Sequence, residues 1–350
     1  ELLFNKGYSV KYFPEGGRSR TGRLLPPKTG MLAMTLQALI KGINRPVSIV
    51  PVYIGYEHVM EVSSYLKELN GTGKKQESFF QIFSAIKKLK NYGYGFLNFG
   101  EPINLTNYLD QQVPNWRDEQ EKSGDKKPKW LTPVVNELAT DVMGRINQTA
   151  AVSGMSICAV CLLSAKKHAM AQSELEQAID HFLELLRDAP YSELATFPKI
   201  SGEKLLENTL KLNKFDVSED SFGKIISLKH QNAVALTYYR NNILHLFALP
   251  GLIAAIVFAH KGLAKKQILL MVAKLYPLLK RELFIYMNAE QAAEYTESLL
   301  SKMLDMGLFE TNKTEIQPPP ASSKEFYSAW LLNRSIQETL HRYAVVLTLL

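Results

Sequence analysis

Two segments follow one another near the start of the chain: Met31-Leu-Ala-Met-Thr-Leu-Gln-Ala-Leu-Ile-Lys41 and Pro46-Val-Ser-Ile-Val-Pro-Val-Tyr-Ile54. The first is rich in Ala, Leu and Met and is stopped by Gly42, which predicts a helix. The second is an almost unbroken β-branched run, the pattern of a strand buried on both faces. Upstream, residues 9–13 are β-branched and aromatic and predict another strand. Strand, helix and strand in so short a span predict a right-handed βαβ unit and a parallel sheet.

The same alternation continues with a helix predicted over residues 79–90 and a strand over residues 95–99. Residues 107–130 are polar and charged and carry Pro114, Gly124 and Pro128, which indicates a linker. Beyond it, helices are predicted over residues 131–148, 155–168, 173–188, 203–211, 231–240, 243–259, 265–286 and 290–306, with a strand over 222–228 and a hairpin over 308–317. The expected fold class is α/β, with a parallel-sheet βαβ core over residues 1–106 and a mostly helical domain over residues 131–350.

Composition excludes several classes of protein. The 350 residues are 46% hydrophobic and 21% charged, which is enough apolar side chain for a folded core and excludes a disordered chain. The 2 Cys exclude a disulfide framework. Lys and Arg number 41 against 34 Asp and Glu, and this excess favours anionic partners: phosphorylated metabolites, anionic lipid or nucleic acid. Without a basic recognition helix, no nucleic-acid partner is expected.

The stretch richest in chemistry is Phe13-Pro-Glu-Gly-Gly-Arg-Ser-Arg-Thr-Gly22, between the first predicted strand and the first predicted helix. Ligands of open α/β sheets bind at such carboxyl ends of strands. Gly16 lets the backbone approach a ligand closely, and Arg18 and Arg20 place two forked donors for phosphate or carboxylate oxygens on one loop. Ser19 adds a neutral donor. The competing interpretation is a solvated basic turn whose arginines pair with nearby carboxylates.

The motif also resembles a known family. Phe13-Pro-Glu-Gly-Gly-Arg-Ser-Arg20 is similar to the third sequence block of the glycerolipid acyltransferases, and Ile49-Val-Pro-Val-Tyr-Ile54 is similar to their fourth block, with Pro51 in the marked position. Later segments resemble the bacterial membrane-bound glycerol-3-phosphate acyltransferases: Asn98-Phe-Gly-Glu-Pro102, Trp130-Leu-Thr-Pro133, Leu212-Asn-Lys-Phe215 and Thr237-Tyr-Tyr-Arg-Asn-Asn242. The resemblance therefore spans most of the chain.

This resemblance implies a reaction and a site. A fatty acyl group passes from acyl-CoA or acyl-carrier protein to the 1-hydroxyl of sn-glycerol 3-phosphate, the first step of phospholipid synthesis, with no cofactor or metal. The residues that the resemblance assigns to glycerol 3-phosphate are Glu15, Gly16, Arg18, Ser19 and Arg20. Pro51 would lie on the acyl-donor side or would shape its strand, since a proline removes a ladder hydrogen bond and marks an edge or a bulge.

The family's catalytic His-x-x-x-x-Asp block is missing from the chain. No Asp stands five residues after any of the seven histidines, which are His58, His168, His181, His230, His245, His260 and His341. The chain opens on Glu1 inside an amphipathic pattern and closes on an uncapped apolar run. We therefore expect a fragment of a longer protein, inactive alone, whose catalytic dyad lies upstream of Glu1. Residues 1–106 would then be the later part of the acyltransferase domain.

Two alternative functions, the cysteines, one apolar segment and the location complete the expectations. A related acyltransferase acting on lysophosphatidate or dihydroxyacetone phosphate and a non-catalytic phosphate- or lipid-binding module both stay open. Cys158 and Cys161 stand in an apolar run without further ligands and are expected to be buried thiols, although the spacing alone also occurs at metal sites. Residues 243–259 are short for a spanning helix and indicate a buried or interfacial one. We expect a peripheral or monotopic protein on the cytoplasmic side of a bacterial inner membrane.

Overall fold

The computed structural model describes residues 2–17, 19–43, 45–57, 93–123, 126–228, 233–260 and 262–349. The predicted helix over 79–90 and Arg18 lie outside these residues. Helices within them are α1 (Leu2–Asn5), α2 (Gly30–Ile40), α3 (Leu105–Gln112), α4 (Trp116–Ser123), α5 (Leu131–Gln148), α6 (Gly154–Ser164), α7 (Gln172–Asp188), α8 (Gly202–Leu210), α9 (Ala233–Ile243), α10 (Ala248–Ala259), α11 (Lys265–Leu283), α12 (Ala289–Asp305) and α13 (Lys324–Leu349). The helices predicted between residues 131 and 306 are confirmed, with ends that differ by a few residues.

The strands are short and form four small sheets in the described residues. They are β1 (Ser48–Ile49), β2 (Val52–Tyr56), β3 (Gly95–Phe99), β4 (Ile103–Asn104), β5 (Ala169–Ala171), β6 (Phe215–Asp220), β7 (Gly223–Leu228), β8 (Leu263–Ala264), β9 (Glu310–Asn312) and β10 (Glu315–Gln317). The sheets are β1–β4, β2–β3, β5–β7–β6 and β8–β10–β9, and all their pairs are antiparallel. The predicted hairpin over 308–317 is β9–β10, and its prediction is confirmed.

The α/β class with a mostly helical later part is confirmed, but the parallel βαβ unit is not found in the described residues. Residues 8–13 form no strand, because no neighbouring described strand completes a ladder with them. The next described strand after β2 is β3, and it pairs antiparallel with β2, from Val52 opposite Phe99 to Tyr56 opposite Gly95. The prediction that the strand over residues 46–54 is buried on both faces is also wrong, because Ile54 is 48% exposed.

Prolines break both strands of this ribbon. Pro51 separates β1 from β2, and Pro102 separates β3 from β4. A proline has no N–H to donate to the ladder, so the ladder stops there. The Pro51 carbonyl still accepts a hydrogen bond from Gly100 N at 2.8 Å, which keeps the two breaks side by side. The structure therefore gives Pro51 a role in shaping its strand.

Helix α5 connects two hydrophobic clusters. Leu131 and Leu138 pack with Leu32 and Leu36 of α2 in the first cluster. Ile146, near the other end of α5, packs against both clusters. The second, larger cluster is built from α6, α7 and α9 to α13. The predicted linker contains α3 and α4, and it contributes buried side chains to the first cluster. The division into domains therefore stays a prediction.

The apolar segment predicted near residue 250 lies in the larger cluster. Residues 235–259 are long and apolar enough to cross a membrane by length and composition alone, yet 78% of the apolar window is buried inside the protein. Pro250 and Gly251 are themselves buried within α10, and Gly251 packs against α13. This outcome agrees with the buried alternative for residues 243–259.

Both cysteines lie in α6 and are fully buried. Burial raises the pKa of the Cys158 thiol to about 12, and it raises that of Cys161 well above its usual value. A thiol held in its protonated form is a poor metal ligand and a poor nucleophile. The prediction of buried thiols is confirmed.

Asn147 fastens α5 to the end of α11. Its Nδ2 donates hydrogen bonds to the carbonyls of Leu283 at 2.7 Å and Phe284 at 3.2 Å. Phe284 has a left-handed backbone with φ of 48°, so the carbonyls at this helix end have turned away from the helical ladder. Asn147 thus satisfies acceptors that the helix itself leaves unpaired.

Replacing Asn147 by Ala is expected to lower the free energy of unfolding by about 1–3 kcal/mol, because two buried carbonyls lose their donor. Urea unfolding of the purified chain measures it. Asn136→Ala is the matched control, since Asn136 is exposed on the same helix and its substitution should change stability by less than about 0.5 kcal/mol. Equal effects of the two substitutions would contradict the role of Asn147.

His245 gives the stability a pH dependence. Its Nε2 donates to the Asn147 carbonyl at 3.1 Å, and burial lowers its pKa to about 4. The unfolded state therefore binds a proton at higher pH than the folded state does, and the neutral form stabilises the fold above about pH 6.5. This stabilisation should disappear as the pH falls from about 6.5 through about 4, a loss of up to about 3 kcal/mol. Urea unfolding at pH 7 and at pH 4.5 measures this loss of unfolding free energy, which should be smaller for His245→Gln than for the natural chain. An equal loss in both proteins would contradict the role of His245.

Candidate functional site

The motif forms a closed loop, the arginine loop, over residues 14–25. The Glu15 carboxylate oxygen Oε2 accepts a hydrogen bond from Leu25 N at 2.8 Å, and the Pro14 carbonyl accepts one from Lys28 N at 2.7 Å. These two bonds hold the ends of the loop together. Burial raises the pKa of Glu15, and the Leu25 N–H opposes that rise by stabilising the carboxylate.

Two glycines allow the backbone of this loop. Gly16 has φ of +63°, and a Cβ there would lie 2.7 Å from Lys28 Cγ. Gly22 has φ of +76°, and a Cβ there would lie 2.0 Å from the carbonyl oxygen of Tyr238 in α9. Only glycine fits such a left-handed backbone against a neighbouring main chain. The loop is thus shaped by its own turn at one end and by α9 at the other.

Ser19 lies between the two arginines of the motif. Its Oγ is buried and makes no hydrogen bond with the described residues. A buried hydroxyl without a partner costs free energy, and such a group in a native fold calls for an explanation, of which a bound ligand is one. Arg20 has a partner in the structure. The arginine at position 18 lies outside the described residues, so its contacts are not part of this geometry.

Helix α9 holds the main chain just after these residues. Asn241 Nδ2 donates to the Thr21 carbonyl at 2.7 Å. The Oδ1 of the same amide accepts from Arg240 Nε at 3.3 Å and Nη2 at 3.2 Å. Arg240 in turn donates from Nη2 to Glu338 Oε2 of α13 at 2.6 Å. A chain of hydrogen bonds therefore runs from the loop through α9 to α13.

A second set of contacts fixes Arg23. Its Nη1 donates to Glu282 Oε1 of α11 at 2.5 Å, and its Nη2 lies 3.5 Å from Thr339 Oγ1 of α13. Arg342 Nη2 lies 2.9 Å from the same Glu282 oxygen and donates to Thr339 Oγ1 at 3.3 Å. One carboxylate oxygen thus binds two guanidinium groups, one from the loop and one from α13.

Arg23, Arg240, Arg342, Glu282 and Glu338 form an ionic cluster, and burial and charge set its electrostatics. Arg23 and Glu282 are only 18% and 20% exposed at their side chains, so their pair is less screened than a surface pair. Burial lowers the pKa of Arg23, the nearby Arg342 lowers it further, and Glu282 opposes both. Burial alone would raise the pKa of Glu338, but the Arg240 guanidinium outweighs it and the pKa falls. Three arginines, one of them Arg23 of the loop itself, and two carboxylates give the cluster one net positive charge.

The structure thus brings together Glu15, Gly16, Ser19 and Arg20 of the predicted site in one loop, and it adds residues that the motif did not identify. Those additional residues are Arg23, Arg240, Asn241, Glu282, Glu338, Thr339 and Arg342. Arg240 and Asn241 belong to a segment that resembles the family, but the resemblance predicts no role for them. Glu282 and Glu338 carry no local signal, because only the tertiary fold places them beside the loop.

Comparison with known proteins identifies a family for the chain. A family model described as the glycerol-3-phosphate acyltransferase C-terminal region matches residues 65–350, and a model described as acyltransferase matches residues 1–55. Proteins named glycerol-3-phosphate acyltransferase from Pseudoalteromonas atlantica and Alteromonas mediterranea are 75% and 59% identical over all 350 residues. A protein of that name from Aeromonas hydrophila is 49% identical over 347 residues.

This chain spans less than half the length of those curated relatives. It covers 43% of the Pseudoalteromonas and Alteromonas proteins and 42% of the Aeromonas protein. The family model for the C-terminal region nevertheless covers most of the chain, including every helix that holds the arginine loop. The chain therefore belongs to the glycerol-3-phosphate acyltransferase family.

Proposed function

We propose that a full-length protein containing this chain transfers a fatty acyl group from acyl-CoA or acyl-carrier protein to the 1-hydroxyl of sn-glycerol 3-phosphate. The product is 1-acyl-sn-glycerol 3-phosphate, the first intermediate of phospholipid synthesis. This chain supplies the acceptor-binding part of the site, in the arginine loop. No cofactor is needed beyond the acyl donor.

The observation that carries the proposal is the buried hydroxyl of Ser19, which has no hydrogen-bond partner among the described residues and lies within a loop that the helices hold in place. A phosphate oxygen accepts hydrogen bonds, and a serine hydroxyl donates one, so a bound phosphomonoester would satisfy this group. Arg18 and Arg20 on either side supply forked donors that match phosphate geometry. The net positive charge of the adjoining cluster favours a dianion at the same place.

Glu15 has a second role in this proposal. One of its carboxylate oxygens accepts the Leu25 N–H, which holds the loop closed. A carboxylate can accept further hydrogen bonds, so Glu15 is also placed to bind a glycerol hydroxyl. Gly16 keeps the turn beside it, where any side chain would meet Lys28. Pro51 shapes its strand, and we also propose that Pro51 lies on the acyl-donor side of the site.

The chemical step needs a base, and the sequence has no His-x-x-x-x-Asp block to supply it. We assign it to a His-x-x-x-x-Asp segment upstream, whose histidine removes the proton of the 1-hydroxyl while its aspartate orients the imidazole. The oxygen attacks the thioester carbonyl, the C–S bond breaks, and the departing thiolate takes up the proton. The arginine loop contributes by holding the acceptor so that this attack is intramolecular in effect.

We also propose that the protein lies on the cytoplasmic face of the bacterial inner membrane without crossing it through this chain. Residues 2–13 support this location, because apolar side chains there are unusually exposed, with Tyr8 at 61% and Phe13 at 71%. Lys6 and Lys11 are exposed among them. Mixed basic and apolar side chains are what an anionic lipid surface binds.

Acyl transfer by the full-length protein tests the reaction. With labelled glycerol 3-phosphate and palmitoyl-CoA, we expect labelled 1-acyl-glycerol 3-phosphate. Arg18→Ala should lower kcat/KM for glycerol 3-phosphate by at least about 30-fold, the effect of ~2–5 kcal/mol for an underpaired charge. Ser19→Ala should lower it about ten-fold or more, as for a hydrogen bond to a charged group. Residues 1–350 alone should give no product.

Arg117→Ala is the matched control, since Arg117 is an exposed arginine of α4 paired with Asp110. Its kinetics should equal those of the natural protein. Product formed only from dihydroxyacetone phosphate or lysophosphatidate would contradict the assigned acceptor. No product from any of the three acceptors with a folded, membrane-bound protein would favour a non-catalytic binding module.

Vesicle binding tests the location. The full-length protein should sediment with vesicles containing phosphatidylglycerol more than with phosphatidylcholine vesicles, and added salt should weaken binding because it screens charge. The double variant Lys6→Glu/Lys11→Glu should bind less than the natural protein. The control variant Lys126→Glu/Lys127→Glu changes two exposed lysines elsewhere and should bind normally. Equal loss in both variants would contradict a membrane face at residues 2–13.

A further inference from the structure

Within the part of the chain that the structure describes, the helical region contacts the arginine loop at residues 21–23. Thr21, Gly22 and Arg23 follow directly after Ser19 and Arg20, and each of the three is held by a different kind of contact. Thr21 accepts a hydrogen bond from α9, Gly22 lies against the α9 backbone, and Arg23 binds Glu282 of α11. The conformation of the proposed phosphate-binding residues is therefore tied to side chains more than 200 positions away in the sequence.

We infer that Glu282 is a positioning residue for the acceptor site: it acts through Arg23 to hold the arginine loop in its binding conformation. The inference rests on the proposed function and gives the helical region a part in it. Glu282 does not need to touch the substrate for this role. It needs only to keep the Arg23 side chain, and with it the end of the loop, against α11 and α13.

The case for Glu282 rests on its two partners. Arg23 Nη1 and Arg342 Nη2 lie 2.5 Å and 2.9 Å from its single Oε1 oxygen, so two positive groups are drawn together around one carboxylate oxygen. Thr339 lies beside both guanidinium groups and is neutral, so it cannot offset their charge. Without the charge of Glu282, the two guanidinium groups would repel each other in a half-buried place.

The other carboxylate of the cluster, Glu338, offsets the charges of Arg23 and Arg342 only from a greater distance, because its own ion pair is with Arg240. Glu338 Oε2 lies 2.6 Å from Arg240 Nη2 and pairs with that arginine. Arg342 belongs to α13, whereas Arg23 belongs to a loop without helical or strand hydrogen bonds. The Arg23 side chain is 18% exposed and that of Arg342 is 49% exposed, so loss of Glu282 leaves Arg23 as the more buried unpaired charge. The loop that carries Arg23 must then shift to bring this charge to water.

The experiment compares four full-length proteins in the acyl-transfer assay: the natural protein, Glu282→Gln, Arg23→Gln and the double variant. Glu282→Gln is expected to raise KM for glycerol 3-phosphate about ten-fold, with kcat and the KM for palmitoyl-CoA within about two-fold of the natural values. A residue with only a general structural role would not separate these constants in this way. Glu282→Asp keeps the charge and should raise KM less than Glu282→Gln.

If Glu282 acts through Arg23, the double variant should have the KM of Arg23→Gln alone, because the second substitution removes nothing further. Additive increases in KM would overturn the inference, and so would an unchanged KM in Glu282→Gln. Glu297→Gln is the control, since it removes a carboxylate from an exposed pair with Lys265 elsewhere in the helical region. Its KM should be that of the natural protein.

Hydrogen exchange of the peptide covering residues 14–25 provides a measurement that does not depend on activity. The full-length Glu282→Gln protein should exchange faster in this peptide than the natural protein, while Glu297→Gln should not. If the natural protein makes no product, the proposed function fails, and exchange alone still decides whether Glu282 holds the loop. Unchanged exchange in folded Glu282→Gln would overturn the inference whatever the activity.

Discussion

The hydrogen bond from Asn241 to the Thr21 carbonyl joins an irregular loop to a helix 220 residues later in the sequence. An irregular loop cannot pair its own backbone groups as helices and strands do, so other parts of the fold must pair them. Here Asn241 supplies a donor on one side of the loop, and the close approach of Gly22 to the α9 backbone leaves no room for a different turn. The shape of the motif is consequently a property of the later helices as much as of its own residues.

The side-chain contacts beside the arginine loop are ionic rather than apolar, and the charge of the loop explains why. A phosphate-binding loop needs guanidinium groups, and these groups are costly to desolvate unless carboxylates accompany them. Glu282 and Glu338 meet that requirement at the loop's edge without placing a negative charge in its middle, where Ser19 lies. Exposed pairs such as Lys204 with Glu207 lie at 51–57% exposure and contribute little to stability by comparison. The ionic contacts beside the loop thus offset the desolvation of its guanidinium groups, which exposed surface pairs do not do.

Sequence patterns predicted the helices between residues 131 and 306, because 3.6-residue periodicity is a local property and most of these helices bury one apolar face. They did not predict α3, α4 or the long α13. The strand at residues 95–99 and the hairpin near residue 312 were also predicted. The parallel sheet was not, since sheet direction depends on which strands meet, and residues 9–13 have no described partner. The motif identified the arginine loop and Ser19. The motif did not predict Glu282 or Glu338, because their local sequences resemble any solvated helix face.

Helix α5 gives the helical region a second connection to the arginine loop. Asn147 and His245 join α5 to the ends of α11 and α9, and Leu131 and Leu138 of that same α5 pack with α2, which begins just after the arginine loop. The loop is therefore connected to the helices twice: directly through Asn241 and Glu282, and indirectly through α2 and α5. Two independent connections restrict the loop in both position and orientation, which a single contact does not achieve. The acceptor site that we propose needs both restrictions to hold a small phosphomonoester against a separate acyl donor, because misplacement of the acceptor hydroxyl by about 1 Å is enough to lower the rate substantially.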